Sequence, residues 1–123
     1  MTAPKTILTV DDSRTMRDML LMTLVDAGYE VVQAEDGEDG LAKLGDRRPD
    51  AIITDINMPK LDGFGFIEAV RADPANSSLP ILVLTTESEV DRKERARAAG
   101  ATGWIVKPFN PTKLLDALRR VGA

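Results

Sequence analysis

Five short apolar runs punctuate the chain, and each is followed by a stretch with helical spacing. Lys5 to Val10 is the first, and it ends abruptly at Asp11-Asp12, where a buried strand reaches the surface. From Ser13 to Ala27 neither Gly nor Pro intervenes, so the spacing predicts a helix capped by Asp12 or Ser13 and closed by Gly28 at positive φ. Met16, Leu20, Leu24 and Ala27 fall on one face and supply its inward stripe. Tyr29 to Ala34 reads as a second strand, Asp36-Gly37 as a turn, and Glu38 to Leu44 as a short helix with Leu41 and Leu44 inward.

Ala51 to Thr54 is too apolar to have a wet face, as in strands of parallel sheets covered on both sides, and it delivers Asp55 at its carboxyl end. After the turn-rich segment 57–63, Phe64 to Ala72 is helical, with Phe64, Ile67, Glu68 and Arg71 in register. Asp73 to Ser78 reads as a polar loop and Pro80 to Leu84 as a strand running into Thr85-Thr86. Glu87 to Ala99 is a strongly charged helix stopped by Gly100. Trp104 to Val106 is the last strand, followed by Lys107-Pro108 and a closing helix from Pro111 to Val121 with Leu114, Leu115 and Leu118 inward.

Strands and helices alternating at these intervals predict an α/β fold with a doubly wound, five-stranded parallel sheet. The length of 123 residues suits one domain, 1–123, with no output domain following. Ligands bind outside the carboxyl ends of such strands, which singles out Asp11, Asp12, Asp55, Thr85 and Lys107.

Composition narrows the chemistry. With no Cys and no His, thiolate and imidazole chemistry and the usual zinc sites are excluded. The formal charge of −4 offers no broad attraction to nucleic acid or anionic lipid. No apolar run reaches membrane-spanning length and the start lacks a signal-peptide pattern, so a cytoplasmic monomer without membrane insertion is expected.

Three carboxylates meeting in one crevice repel one another unless a divalent cation or a lysine offsets them. All-oxygen ligation points to Mg²⁺, and Mg²⁺ to a phosphoryl group. Lys107 and Thr85 can hold two of its equatorial oxygens. A carboxylate is the only credible covalent acceptor, and Asp55, after the most apolar strand, is the best candidate, with Asp11 and Asp12 sharing the metal.

The segments Val10-Asp11-Asp12-Ser13, 55–63 (DINMPKLDG), Thr85-Thr86 and Lys107-Pro108-Phe109 resemble the receiver domain of two-component response regulators over essentially the whole chain. The length resembles the single-domain members used in chemotaxis. The resemblance implies a flavodoxin-like (βα)5 fold with strand order 2-1-3-4-5. It also implies phosphorylation of Asp55 from the phosphohistidine of a kinase or phosphotransfer domain. Mg²⁺ would be bound by Asp12, Asp55 and the Asn57 carbonyl, with Asp11 assisting through water. A cis Lys107-Pro108 bond is implied as well, and Trp104 occupies the place of an aromatic switch residue, where tyrosine is common.

Further expectations concern surfaces. Val90, Thr102, Trp104 and Val106 form a thinly packed switch surface, and Asn57 and Glu87 flank the path of the hydrolytic water. Leu21 and Val25 lie off the inward stripe of the first helix and are expected to meet the kinase. The expected role is a phosphorylation-switched binding module acting on a target such as the flagellar motor switch, with a phosphatase as a further partner, and catalysing no reaction beyond its own phosphorylation and dephosphorylation. Alternatives are a phosphorelay intermediate or phosphate sink and, from a different class, a magnesium-dependent phosphohydrolase. A flavodoxin-like cofactor binder is disfavoured because Asp11-Asp12 would repel phosphate at the first turn.

Overall fold

The computed structural model describes residues 4–86 and 90–123, without the side chains of Val90 and Asp91. Glu87, and Val90 as a side chain, therefore lie outside the described residues. Hydrophobic alternation resolves into β1 Thr6–Val10, α1 Arg14–Asp26, β2 Glu30–Ala34, α2 Gly37–Asp46, β3 Ala51–Asp55 and α3 Gly63–Ala72. It continues as β4 Ile81–Thr86, α4 Val90–Ala99, β5 Gly103–Lys107 and α5 Pro111–Arg120. The strands pair in parallel in the order β2-β1-β3-β4-β5, the flavodoxin-like arrangement expected.

Because side chains alternate along a strand, consecutive residues feed opposite faces. Leu8, Val10, Ile52 and Val83 join Phe64, Phe66, Ile67 and Val70 in the core under α2 to α4. Ile7, Ile53, Leu82 and Leu84 join Leu20, Leu24, Leu114 and Leu118 under α1 and α5. Helix starts are fixed by short polar side chains that accept from otherwise unpaired N–H groups. Ser13 caps α1, Asp36 α2, Asp62 α3 and Asn110 α5.

Several expectations need correction. Ala27 is exposed as the C-cap of α1, because the helix ends at Asp26 and Gly28 (φ 94°) turns the chain away. In α2 it is Gly37 and Gly40 that are fully buried, while Leu41 and Leu44 are only half-buried. A Cβ on Gly40 would stand 2.8 Å from the Phe66 ring, so the absence of a side chain lets α2 and α3 touch. The expected 73–78 loop holds a 3₁₀ turn, Pro74–Asn76, nucleated by the Asp73 side chain and by proline in its first turn. The exposed apolar residues of α1 are Met19, Met22 and Val25, whereas Leu21 is half-buried.

Arg71, half-buried at the end of α3, ties three segments together. It donates to the Gly100 carbonyl (3.0 Å), the Asn76 carbonyl (2.6 Å) and Thr102 Oγ1 (3.4 Å). The same hydroxyl accepts from Ile81 N at 3.0 Å, so Thr102 joins the starts of β4 and β5.

α4 is attached differently from the other helices. Of its described side chains only Ala96 is buried. Arg95 stacks over the Phe64 ring at 4.3 Å, and Lys93 and Arg97 each lie 5.1 Å from the Trp104 ring centroid. Among the described residues no helix is long and apolar enough to cross a membrane.

Candidate metal and phosphoryl site at the strand ends

Parallel register levels the functional side chains. Val10 pairs with Thr54, Asp55 with Leu84, Thr85 with Val106 and Thr86 with Lys107. One step beyond these pairs, Asp11 stands beside Asp55, and Thr85 and Lys107 complete the row from the next two strands. One carboxylate oxygen each from Asp11, Asp12 and Asp55 can be chosen so that all lie within 4.8 Å of one another.

The three carboxylates live in different surroundings. Asp12 is exposed, Asp55 is buried, and Asp11 is wholly removed from solvent. Asp11 Oδ1 accepts from Ser13 N at 2.8 Å, and Arg17 donates to the Asp11 carbonyl at 2.7 Å, fixing the backbone of the acidic pair. Asp11 Oδ2 has no hydrogen-bond partner among the described residues; Lys107 Nζ stands 3.7 Å away. Burial pushes the Asp11 carboxyl above its ordinary value, the Asp55 charge adds to the rise, and the Ser13 N–H and Lys107 oppose it.

Asp55 Oδ1 accepts from its neighbour Ile56 N at 2.8 Å and from Lys107 Nζ at 2.9 Å. Lys107 thus spans two of the carboxylates. Thr85 is fully buried, its hydroxyl without a hydrogen-bond partner among the described residues. The Lys107-Pro108 bond is cis, as the resemblance implies.

The loop that follows Asp55 is held from below and from the side. A Cβ on Gly63 would stand 2.3 Å from the Asp55 carbonyl oxygen, so only glycine lets α3 start directly beneath Asp55. Lys60 turns the loop at φ 67° and lies 3.8 Å from the Asp36 carboxylate, which itself caps α2. Asn57 is exposed, and its Oδ1 accepts from Arg92 Nη1 of α4 at 2.5 Å.

Sequence reasoning missed Arg17, Lys60 and Arg92, since surface arginine and lysine carry no periodic signal. The expected switch residues separate in space. Trp104 and Val106 are half-buried on β5, beside an open groove of about 630 Å³ between β5 and α5 that Lys113 and Arg120 also line. Thr102 stands at the opposite end of the sheet from Asp55.

The donor set fits Mg²⁺. It is all oxygen, its excess negative charge is only partly offset by Lys107, and it contains a buried carboxylate oxygen awaiting a partner.

Residues 7–119 match the family model described as the response regulator receiver domain. The chain is 51% identical to the chemotaxis response regulator CheY4 of Vibrio cholerae, with a TM-score of 0.90 over 96% of this chain and 98% of that one. It is 30% identical to the receiver domain of a sensor histidine kinase from Pseudomonas aeruginosa PAO1, with a TM-score of 0.90 over 98% and 100% of the two chains; that protein has a magnesium ion coordinated in its active site cleft. It is also 37% identical to the phosphate regulon transcriptional regulatory protein PhoB of Pseudomonas aeruginosa, over 95% of this chain but 51% of the regulator. This chain spans about half the length of such curated relatives.

Proposed function

Because this chain belongs to the response regulator receiver domain family, we propose that it accepts a phosphoryl group on Asp55 from the phosphohistidine of a two-component kinase and thereby switches its affinity for a target. The observation that carries the reading is the Lys107 ammonium, 2.9 Å from Asp55 and 3.7 Å from Asp11, at the level of the buried Thr85 hydroxyl.

Ile56 N–H and Lys107 both bond to Asp55 Oδ1, and Oδ2 is the oxygen that attacks phosphorus. Attack forms the Oδ2–P bond as the donor N–P bond breaks and the donor imidazole takes a proton. Lys107 Nζ moves onto a phosphoryl oxygen, and Thr85 Oγ1 turns its hydrogen to another. Asp12, Asp55 and the Asn57 carbonyl would hold Mg²⁺, with Asp11 assisting through water, and the ion would neutralise charge on the phosphoryl oxygens. No exogenous substrate is turned over; the chemistry is the gain and loss of the protein's own phosphoryl group.

Trp104, under Lys93 and Arg97 of α4, and Val106 on the same strand read the Thr85 movement. The near-full-length likeness to a chemotaxis regulator favours a flagellar motor switch as target. The half-length match to PhoB supports a second reading, a receiver that governs a DNA-binding partner domain. The kinase docks on α1, where Val25 with Met22 and Met19, rather than Leu21, offers the exposed apolar face.

Acetyl phosphate with Mg²⁺ should add one phosphoryl group by intact mass, and Asp55→Ala should abolish the gain. Undiminished labelling of Asp55→Ala would overturn the acceptor assignment. Binding of immobilised motor switch protein only by the beryllofluoride-treated form would support the chemotaxis reading, and equal binding with and without it would remove it.

A further inference from the structure

Arg92 is exposed and lies outside the set of residues that the chemistry requires, yet it reaches the loop that follows Asp55. It sits on α4, 35 positions from Asn57, and its Nη1 donates to Asn57 Oδ1 at 2.5 Å. Asn57 is two residues beyond Asp55, on the loop that forms the mouth of the site. A guanidinium has five donors and no acceptor, so it can engage only the carbonyl oxygen of the amide and leaves the NH₂ aside. Charge assistance makes this bond stronger than the contact of two neutral groups.

Loss of the phosphoryl group is a hydrolysis. Water oxygen bonds to phosphorus, the Oδ2–P bond breaks, Asp55 regains its carboxylate, and the water's proton leaves with inorganic phosphate. To attack in line, the water must aim a lone pair at phosphorus, and it does so best when a fixed acceptor holds one of its hydrogens. Asn57 Oδ1 is such an acceptor beside Asp55, and Arg92 takes one of its two lone pairs with a charge-assisted bond that fixes which way the amide faces.

We propose that Arg92 is a positioning residue that lengthens the life of the phosphorylated state by holding the Asn57 amide oxygen away from the attacking water. The proposal rests on phosphorylation at Asp55 as set out above. It also makes α4, the helix beside the output strand, a determinant of signal duration, because any motion of its first turns moves the guanidinium.

The full chain and its Arg92→Met, Asn57→Ala and doubly substituted variants are phosphorylated with acetyl phosphate and Mg²⁺ and freed of donor. Decay of the phosphorylated form is then followed by intact mass and by Trp104 fluorescence. Arg92→Met should decay several-fold faster than the parent. In the Asn57→Ala background the same change should have no effect, because the acceptor it uncovers is gone. An acceleration of equal size in both backgrounds would mean that Arg92 acts by loosening α4 and would overturn the proposal, as would an unchanged rate in Arg92→Met. Failure of the parent to gain a phosphoryl group on Asp55 would instead overturn the functional reading on which the proposal rests.

Discussion

α3 and α4 are both ten residues long and follow successive strands of one sheet, yet they are attached by different physics. α3 buries Gly63, Phe64, Phe66, Ile67 and Val70, and it begins in contact with the Asp55 backbone. α4 lays Arg95, Lys93 and Arg97 over aromatic rings and buries, among its described side chains, only Ala96. Removing apolar surface from water is strong and rewards one geometry, whereas partly solvated cations on ring faces bring roughly 0.5–1 kcal/mol each and tolerate displacement. The fixed helix anchors the loop that follows Asp55, and the loosely held one lies beside β5.

The strongest test of the contrast is Phe66→Ala. Phe66 has no solvent exposure and packs against Gly40. Its truncation should cost about 3–5 kcal/mol and lower Tm by more than about 10 °C in a thermal melt. A loss below about 1 kcal/mol would remove the distinction between the two helices.

Asp11 sharpens the comparison, being a charge buried as completely as Phe66. Its folded-state pKa is raised above the ordinary 3.8, so it favours folding while protonated and loses that contribution as pH rises from about 3.8 through the raised value. Asp11→Asn, which cannot ionise and keeps an oxygen for Ser13 N–H, should therefore gain stability at neutral pH without Mg²⁺. Tm should rise and lose part of its decline above about pH 4, and the Mg²⁺-induced gain in Tm should shrink. Lower stability at neutral pH would show that the Lys107 contact outweighs burial.

The smallest effect is expected in α4. Lys93→Ala and Arg97→Ala should each cost about 0.5 kcal/mol in urea unfolding, while the double change shifts Trp104 emission in the unphosphorylated protein. A cost comparable to that of Phe66→Ala would place α4 among the fixed elements.

The same contrast explains what the sequence made legible. Asp11, Asp55, Thr85 and Lys107 could be located because each terminates an apolar run whose two-residue period identifies a strand, and parallel topology then levels the strand ends. The close approaches at Gly40 and Gly63 could not, since a missing side chain leaves no mark until the neighbouring backbone is in place. Arg92 escaped for the opposite reason: a charged residue in a charged helix looks solvated, and its partner lies on another element. On α1 the spacing separated an inward stripe from the rest, but helical projection alone did not separate the half-buried Leu21 from the exposed Met22.

The Arg71 strap limits the ways α4 can move. Its bond to the Gly100 carbonyl fastens the far end of α4 to α3 and the 3₁₀ turn, so displacement is a swing about that pivot rather than a slide along the sheet. Ten residues make a lever of about 15 Å, and a rotation of about 10° carries its first turn about 2.5 Å while the pivot end stays in place. Any small displacement delivered at the pivot is thereby geared up at the opposite end of α4, where Arg92 is mounted.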